Sequence, residues 1–190
     1  APLTGEVRDV IYDHVQLAGL FLAYRMPDTM SFDGEVFNAV SRILASGRSS
    51  RLYRTLVYEE ALAQSVMCYP SGNEHPGLFY IRALATPGTP LEKLEARLTE
   101  EVRKLASEKV SDGELQKAKN ANEMSLMQSL STMSGIADSL AGYHTFFGDA
   151  AELNHDLDKS ARITAGDIQR VAKQYLDTDS RVVLHWLPKH

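Results

Sequence analysis

A chain of 190 residues, 44% of them apolar and 24% charged, is long enough to close a hydrophobic core and has the composition of a globular domain. Twenty basic against 25 acidic residues leave a formal charge of −5, with both signs mixed along the chain. That balance gives no electrostatic reason to expect nucleic acid or an anionic membrane as partner. No apolar run approaches the roughly 20 residues that span a bilayer. The chain begins at Ala1 without Met or a signal-peptide pattern, so residues upstream are expected to have been removed.

In chain order, residues 6–26 read as extended. Val10, Tyr12 and His14 alternate with polar residues, and the nearly all-apolar stretch from Leu17 to Tyr24 predicts a strand covered on both faces. Pro27 ends it. Ser31 or Asp33 is expected to cap a helix that carries Val36, Phe37, Val40, Ile43 and Leu44 inward and stops at Gly47. Ser49 and Ser50 open a short helix with Leu52, Tyr53 and Leu56 at helical spacing. Two strands, Leu62–Tyr69 and Leu78–Thr86, are predicted to pair antiparallel across a loop bounded by Pro70 and Pro76.

Thr89-Pro90-Leu91-Glu92 has the form of a capping box with Pro at the first helical position. The helix it opens should turn Leu91, Leu94, Leu98, Val102 and Leu105 inward. Ser111-Asp-Gly-Glu114 starts one long helix whose inner side would hold Leu115, Ala118, Asn122, Leu126, Leu130, Met133, Ala137 and Leu140. Met124, Met127 and Met133 read as core filler. Thr164-Ala-Gly-Asp167 caps a last helix with Ile168, Val171, Ala172, Tyr175 and Leu176 inward, and Val182–Leu187 closes the chain as a strand. Leu98, Leu130, Val171 and Trp186 are expected to be largely buried. Helices grouped in sequence beside paired strands predict an α+β two-layer domain, with a mostly antiparallel sheet and helices packed on one face. No linker or repeat divides residues 1–190, so one domain is expected.

Little in the sequence points to chemistry. The six histidines are His14, His75, His144, His155, His185 and His190, and none completes H-x-x-E-H or H-E-x-x-H, the spacing that sets two zinc ligands on one helical face. The nearest approach, Ser71-Gly-Asn-Glu74-His75, has serine at the first ligand position and lies between two prolines, so it reads as a surface loop. Cys68 is the single cysteine. It allows neither an internal disulfide nor a cysteine-based zinc site, reads as a buried core thiol, and leaves the redox compartment open. Bacterial periplasm and cytoplasm are both compatible. Gly47-Arg48-Ser49-Ser50 is too short for a phosphate loop, and no G-x-S-x-G elbow supports a serine nucleophile.

A series of motifs nevertheless resembles the C-terminal, non-catalytic domain of M16 (pitrilysin/insulinase-like) zinc peptidases. Leu44-Ala-Ser-Gly-Arg-Ser-Ser-Arg-Leu-Tyr-Arg54 and Leu62-Ala-Gln-Ser-Val66 follow the family's "LGGG", "SSRL(F/Y)" and "LAYSV" pattern. Gly77-Leu-Phe-Tyr-Ile81, Val110–Lys119, Thr164–Ala172 and the closing strand to Pro188 continue it in order. The resemblance implies one wall of a clam-shaped chamber around a peptide substrate. Zinc would be held not by this chain but by a second M16-type domain or subunit carrying H-x-x-E-H. In family members the non-catalytic half often contributes an arginine and, seven residues later, a tyrosine that stabilise charge developing on the substrate. Those substrate-facing positions are Val57 and Gln64 here, so the pair is absent and no catalytic or metal residue is assigned. Arg54 and Tyr58 are near but out of register. The alternative is a scaffold subunit with the same fold and no peptidase role.

Overall fold

The computed structural model describes residues 5–72 and 74–189. Five strands, β1 (Val7–Asp13), β2 (Gly19–Met26), β3 (Ala63–Ser71), β4 (Gly77–Ala85) and β5 (Arg181–Pro188), form one sheet in the order β1-β5-β2-β4-β3. The β1–β5 pair is parallel and the other pairs are antiparallel. Residues 6–26 are therefore two strands, not one continuous extended run, and β5 from the far end of the chain is inserted between them. Pro70 lies in β3. A residue without a backbone donor is tolerated there because β3 is an edge strand.

The helices lie on one side of this sheet. Helix α1 (Phe32–Ala45) begins at Ser31, whose hydroxyl accepts from the Gly34 amide at 3.1 Å. Gly34 is required by close approach, since a Cβ there would come within 2.3 Å of the Asp28 carbonyl oxygen. Helix α2 (Leu91–Ser107) buries the leucine and valine stripe expected of it. Its start differs from the expected box. Thr89 donates its amide back to the Thr86 carbonyl at 2.9 Å, Pro90 is the extended cap, and no side chain caps the helix. Helix α6 (Ala165–Tyr175) does begin with the predicted box, formed by Thr164 and Asp167. From α1, α2 and α6, Phe37, Leu98 and Val171 meet Leu20, Leu22, Phe79 and Ile81 of the sheet in one core.

The segment after Ser111 departs most from its periodicity. The capping box forms as expected, but the helix ends after 18 residues as α3 (Asp112–Ser129). After a break at Leu130–Thr132 the chain re-enters a helix as α4 (Met133–Phe147), capped by Thr132. Ser129 and Ser131 hydroxyls bond back to carbonyls three residues earlier, and Thr132 accepts from the Gly135 amide, a side-chain alternative to continuing the helix. The core expectation holds at Leu115 and Ala118 and fails beyond them. Met124, Met127 and Met133 are exposed (Met133 85%), α4 buries no residue, and Leu130 is half-buried. The hydrophobic spacing is real, but α3 packs on α1 and α4 on the segment that follows it, and neither is covered along its methionine side. A short 3-10 segment (Ala150–His155) and helix α5 (Asp156–Ala161) return the chain to the body.

These burials give contrasting expectations. Leu98→Ala should cost about 2–5 kcal/mol, as deletion from a closed core does, and Leu130→Ala under about 1.5 kcal/mol. Urea denaturation of both variants decides it. Equal losses would contradict this assignment of the core.

Candidate functional site

Alternation along β2 and β4 assigns two different jobs to the two sheet faces. Leu20, Leu22, Tyr24 and Met26 of β2 and Phe79, Ile81, Ala83 and Ala85 of β4 are buried beneath the helices. The residues between them project to the other face, which no helix of the chain covers among the described residues. The expectation of a strand covered on both faces is therefore corrected: Phe21, Ala23 and Arg25 remain half-buried on a bare surface. Register places Trp186 and Leu184 of β5, Phe21 of β2, Tyr80 and Arg82 of β4, and Met67 and Tyr69 of β3 on this same face.

Its centre is aromatic. Phe21 and Trp186 pack with ring centroids 5.7 Å apart, Tyr69 stacks on Tyr80 at 5.2 Å, and the Arg82 guanidinium lies 5.3 Å from the Phe21 centroid. Trp186, expected to be largely buried, is half-buried because it belongs to this side. Five strands about 4.8 Å apart and about seven residues long at about 3.4 Å each give roughly 500 Å² of sheet face, in the upper part of the range of about 300–600 Å² in which a monomer's largest and often functional patch falls.

On the covered side, an ionic cluster fastens the edge strand β1, all of whose residues are exposed. Arg181, 5% exposed, donates to Glu6 at 2.7 Å, to Glu95 at 3.0 Å and to the Thr99 hydroxyl at 2.9 Å. Arg8 forms a two-pronged pair with Glu95, and His185 Nε2 lies 3.0 Å from the same carboxylate. Burial alone would raise the Glu95 carboxyl. The bonds from Arg8 and His185 and the charge of Arg181 outweigh it and hold the group below the ordinary 4.5. This paired cluster is structural and leaves no group free for chemistry.

The two positions singled out by sequence lie on either side of a distorted junction. Val57 is in a π-helical segment (Tyr53–Glu59) and packs partly against the core, whereas Gln64 is exposed at a β-bulge between Ala63 and Ser65. Arg54 pairs with Glu59 at 3.3 Å, and Tyr58 points to solvent. Between Val57 and Gln64, Ala61 has φ +49°, a left-handed conformation costly for a residue with a Cβ. The π-helix and bulge were not legible in advance, since both depend on backbone hydrogen bonds and not on hydrophobic spacing.

The histidines stay apart. His14, His75, His144 and His155 are exposed, His185 is engaged with Glu95, and His190 lies outside the described residues. Glu74-His75 sits in the turn between β3 and β4. Among the described residues no group of three or more His, Cys, Asp or Glu side chains is arranged to hold a metal ion, so these side chains do not fit a zinc site. Cys68 is half-buried on the covered side of β3, and burial pushes its thiol pKa up, which suits packing and not nucleophilic attack. No helix of the described residues is long and apolar enough to cross a membrane.

Ala61→Gly should remove the left-handed strain and stabilise the fold by about 0.5–1 kcal/mol, and Ala61→Val should destabilise it by about 1–2 kcal/mol. Urea midpoints with unchanged slopes test this. A stabilising valine would mean that the junction carries no strain.

Comparison with known proteins matches this arrangement. A family profile described as the peptidase M16 inactive domain matches residues 1–122. The zinc protease PqqE of Helicobacter pylori is 27% identical over 172 residues, which are 90% of this chain and 38% of that protein. A solved protease from Helicobacter pylori superposes with a TM-score of 0.89 at 22% identity, covering 97% of this chain and 45% of the other. A solved peptidase M16 inactive domain from Pseudomonas fluorescens gives 0.86 at 18% identity, covering 100% of this chain and 45% of the other. The chain thus spans less than half the length of these relatives. With a profile match over most of its sequence, it belongs to the peptidase M16 family, as one of that family's inactive domains.

Proposed function

We propose that this domain forms one wall of a peptide-binding chamber, opposite an M16-type domain that carries H-x-x-E-H and holds the zinc. The observation that carries this reading is the bare aromatic sheet face built around Phe21, Trp186, Tyr80 and Arg82. An isolated globular domain gains nothing from leaving such a surface in water, and apolar burial contributes about 25 cal/mol per Å² when something covers it. A relative described as a zinc protease supports a peptide as the substrate and zinc as the metal of the partner half.

In this reading the domain contributes shape and apolar contact, not a reacting group. Valine at 57 has no donor, and glutamine at 64 is uncharged and shorter than tyrosine. The donors that stabilise developing charge would therefore come from another chain or domain.

The test is to mix this domain with the zinc-bearing M16 half of the same protein, or its partner subunit, and to follow complex formation and peptide cleavage. Adding the domain is expected to raise cleavage at least tenfold, with a complex at micromolar concentration. The double substitution Val57→Arg with Gln64→Tyr should change that rate by less than tenfold, because the pair is supplied elsewhere. Full cleavage by the zinc half alone, with no complex at micromolar concentration, would overturn the chamber role. A stable complex that cleaves no peptide would indicate the scaffold role instead.

A further inference from the structure

The open face is apolar over most of its area but has an unneutralised charge at its centre. Arg82 projects from the middle of β4, and Phe21 of β2 and Met67 of β3 are its register partners on the two sides. Its guanidinium lies against the Phe21 ring. Among the described residues it has no hydrogen bond or ion pair, and its Nε is buried without a partner. Asp9 and Asp13 of β1 are the acids that register places on this face. Asp9 shares the row that runs through Leu184 and Phe21 to Arg82, three strands away, so about 14 Å separates their backbones. Asp9 moreover accepts a hydrogen bond from the Val10 amide at 2.8 Å.

An arginine so placed is costly unless an anion meets it. The apolar surroundings weaken its hydration, and the aromatic ring beneath holds the planar fork in place, leaving a bidentate acceptor as its natural complement. Two residues before and after it on the same strand stand Tyr80 and Leu84, about 7 Å away on either side. A ligand that alternates apolar, any, acidic, any and apolar residues in extended form would match all three.

We infer that Arg82 is a carboxylate-binding residue on the open face, selecting extended peptide segments with an acidic group flanked by apolar side chains. The inference rests on the chamber-wall reading and specifies what that wall recognises. The carboxylate can come from a glutamate or aspartate side chain or from a peptide C-terminus.

Trp186 is the single tryptophan of the chain and packs on Phe21, so its fluorescence reports occupancy of the face. The probes are acetyl-Leu-Ser-Glu-Ser-Leu-amide, its glutamine counterpart, and the glutamine peptide with a free C-terminus, each titrated into this chain at low salt. The glutamate peptide is expected to bind about tenfold more tightly than the amidated glutamine peptide, the worth of a charge-assisted bond at a partly dry site. Added salt should reduce that preference. Arg82→Gln should abolish the preference and leave binding of the amidated glutamine peptide within twofold. Arg82→Lys, which keeps the charge but not the fork, should retain part of it. A gain by the free-C-terminus peptide equal to that of the glutamate peptide would show that the site takes chain ends as well as acidic side chains, and no such gain would restrict it to acidic side chains.

Equal binding of the amidated peptides to the unsubstituted chain, or a preference that survives in Arg82→Gln, would overturn the role of Arg82. Neither result touches the chamber reading, whose readout is cleavage with the zinc half. No change in Trp186 fluorescence at millimolar peptide would overturn the inference. So would a change that follows protein concentration alone, since a second copy would then cover the face.

Discussion

The structure depends on a sheet that is buried on one side only. Leu20, Leu22 and Tyr24 alternate with Phe21, Ala23 and Arg25 along β2, and α1, α2 and α6 cover only the first set. Stability is concentrated in that helix-covered layer, where Phe37, Leu94, Leu98, Ile168 and Val171 close the core without exposed surface. The second set stays half-buried, held by side-chain contacts within its own face such as Phe21 on Trp186. The same period-two geometry thus separates the residues that close the core from those that the chain leaves on an open face.

The other departures from simple packing occur at the margins of this surface. The two edge strands are managed in different ways. β1 buries nothing and is fastened through Arg8 and Glu6 to the Glu95–Arg181 cluster, whereas β3 carries Pro70 and a bulge at Gln64. Ion pairing can hold an edge strand without requiring an apolar contact, at the cost of desolvating several charges that must then be fully paired. The π-helix and left-handed Ala61 feed directly into β3. Backbone distortion is thereby placed between Val57 and Gln64, the two positions that the sequence singled out.

Much of the fold was legible from spacing alone. The leucine stripe of α2, the capping boxes at Ser111 and Thr164, and the β3–β4 pair followed from local rules, and those rules hold when the partner surface is supplied by the same chain. The M16 motifs added the family. The failures in predicting burial share one cause. Met133, Leu140, Leu130 and Trp186 have the hydrophobicity of core residues, but the chain provides no layer to cover them fully. Hydrophobic pattern shows that a residue seeks burial, not which surface buries it. Arg25 and Arg82, on the open-face register of otherwise apolar strands, were the available signal that the second face was open, because a guanidinium is poorly suited to a strand covered by apolar layers on both sides.

The most direct test uses the complete protein that contains this domain, loaded with a non-cleavable peptide carrying a photoreactive benzophenone group. Cross-links mapped by mass spectrometry should fall on open-face residues of β2, β4 and β5, with Phe21, Tyr80 and Trp186 among them. Cross-links confined to the helices α1, α2 and α6, or to no part of this domain while other parts of the protein are labelled, would contradict the account.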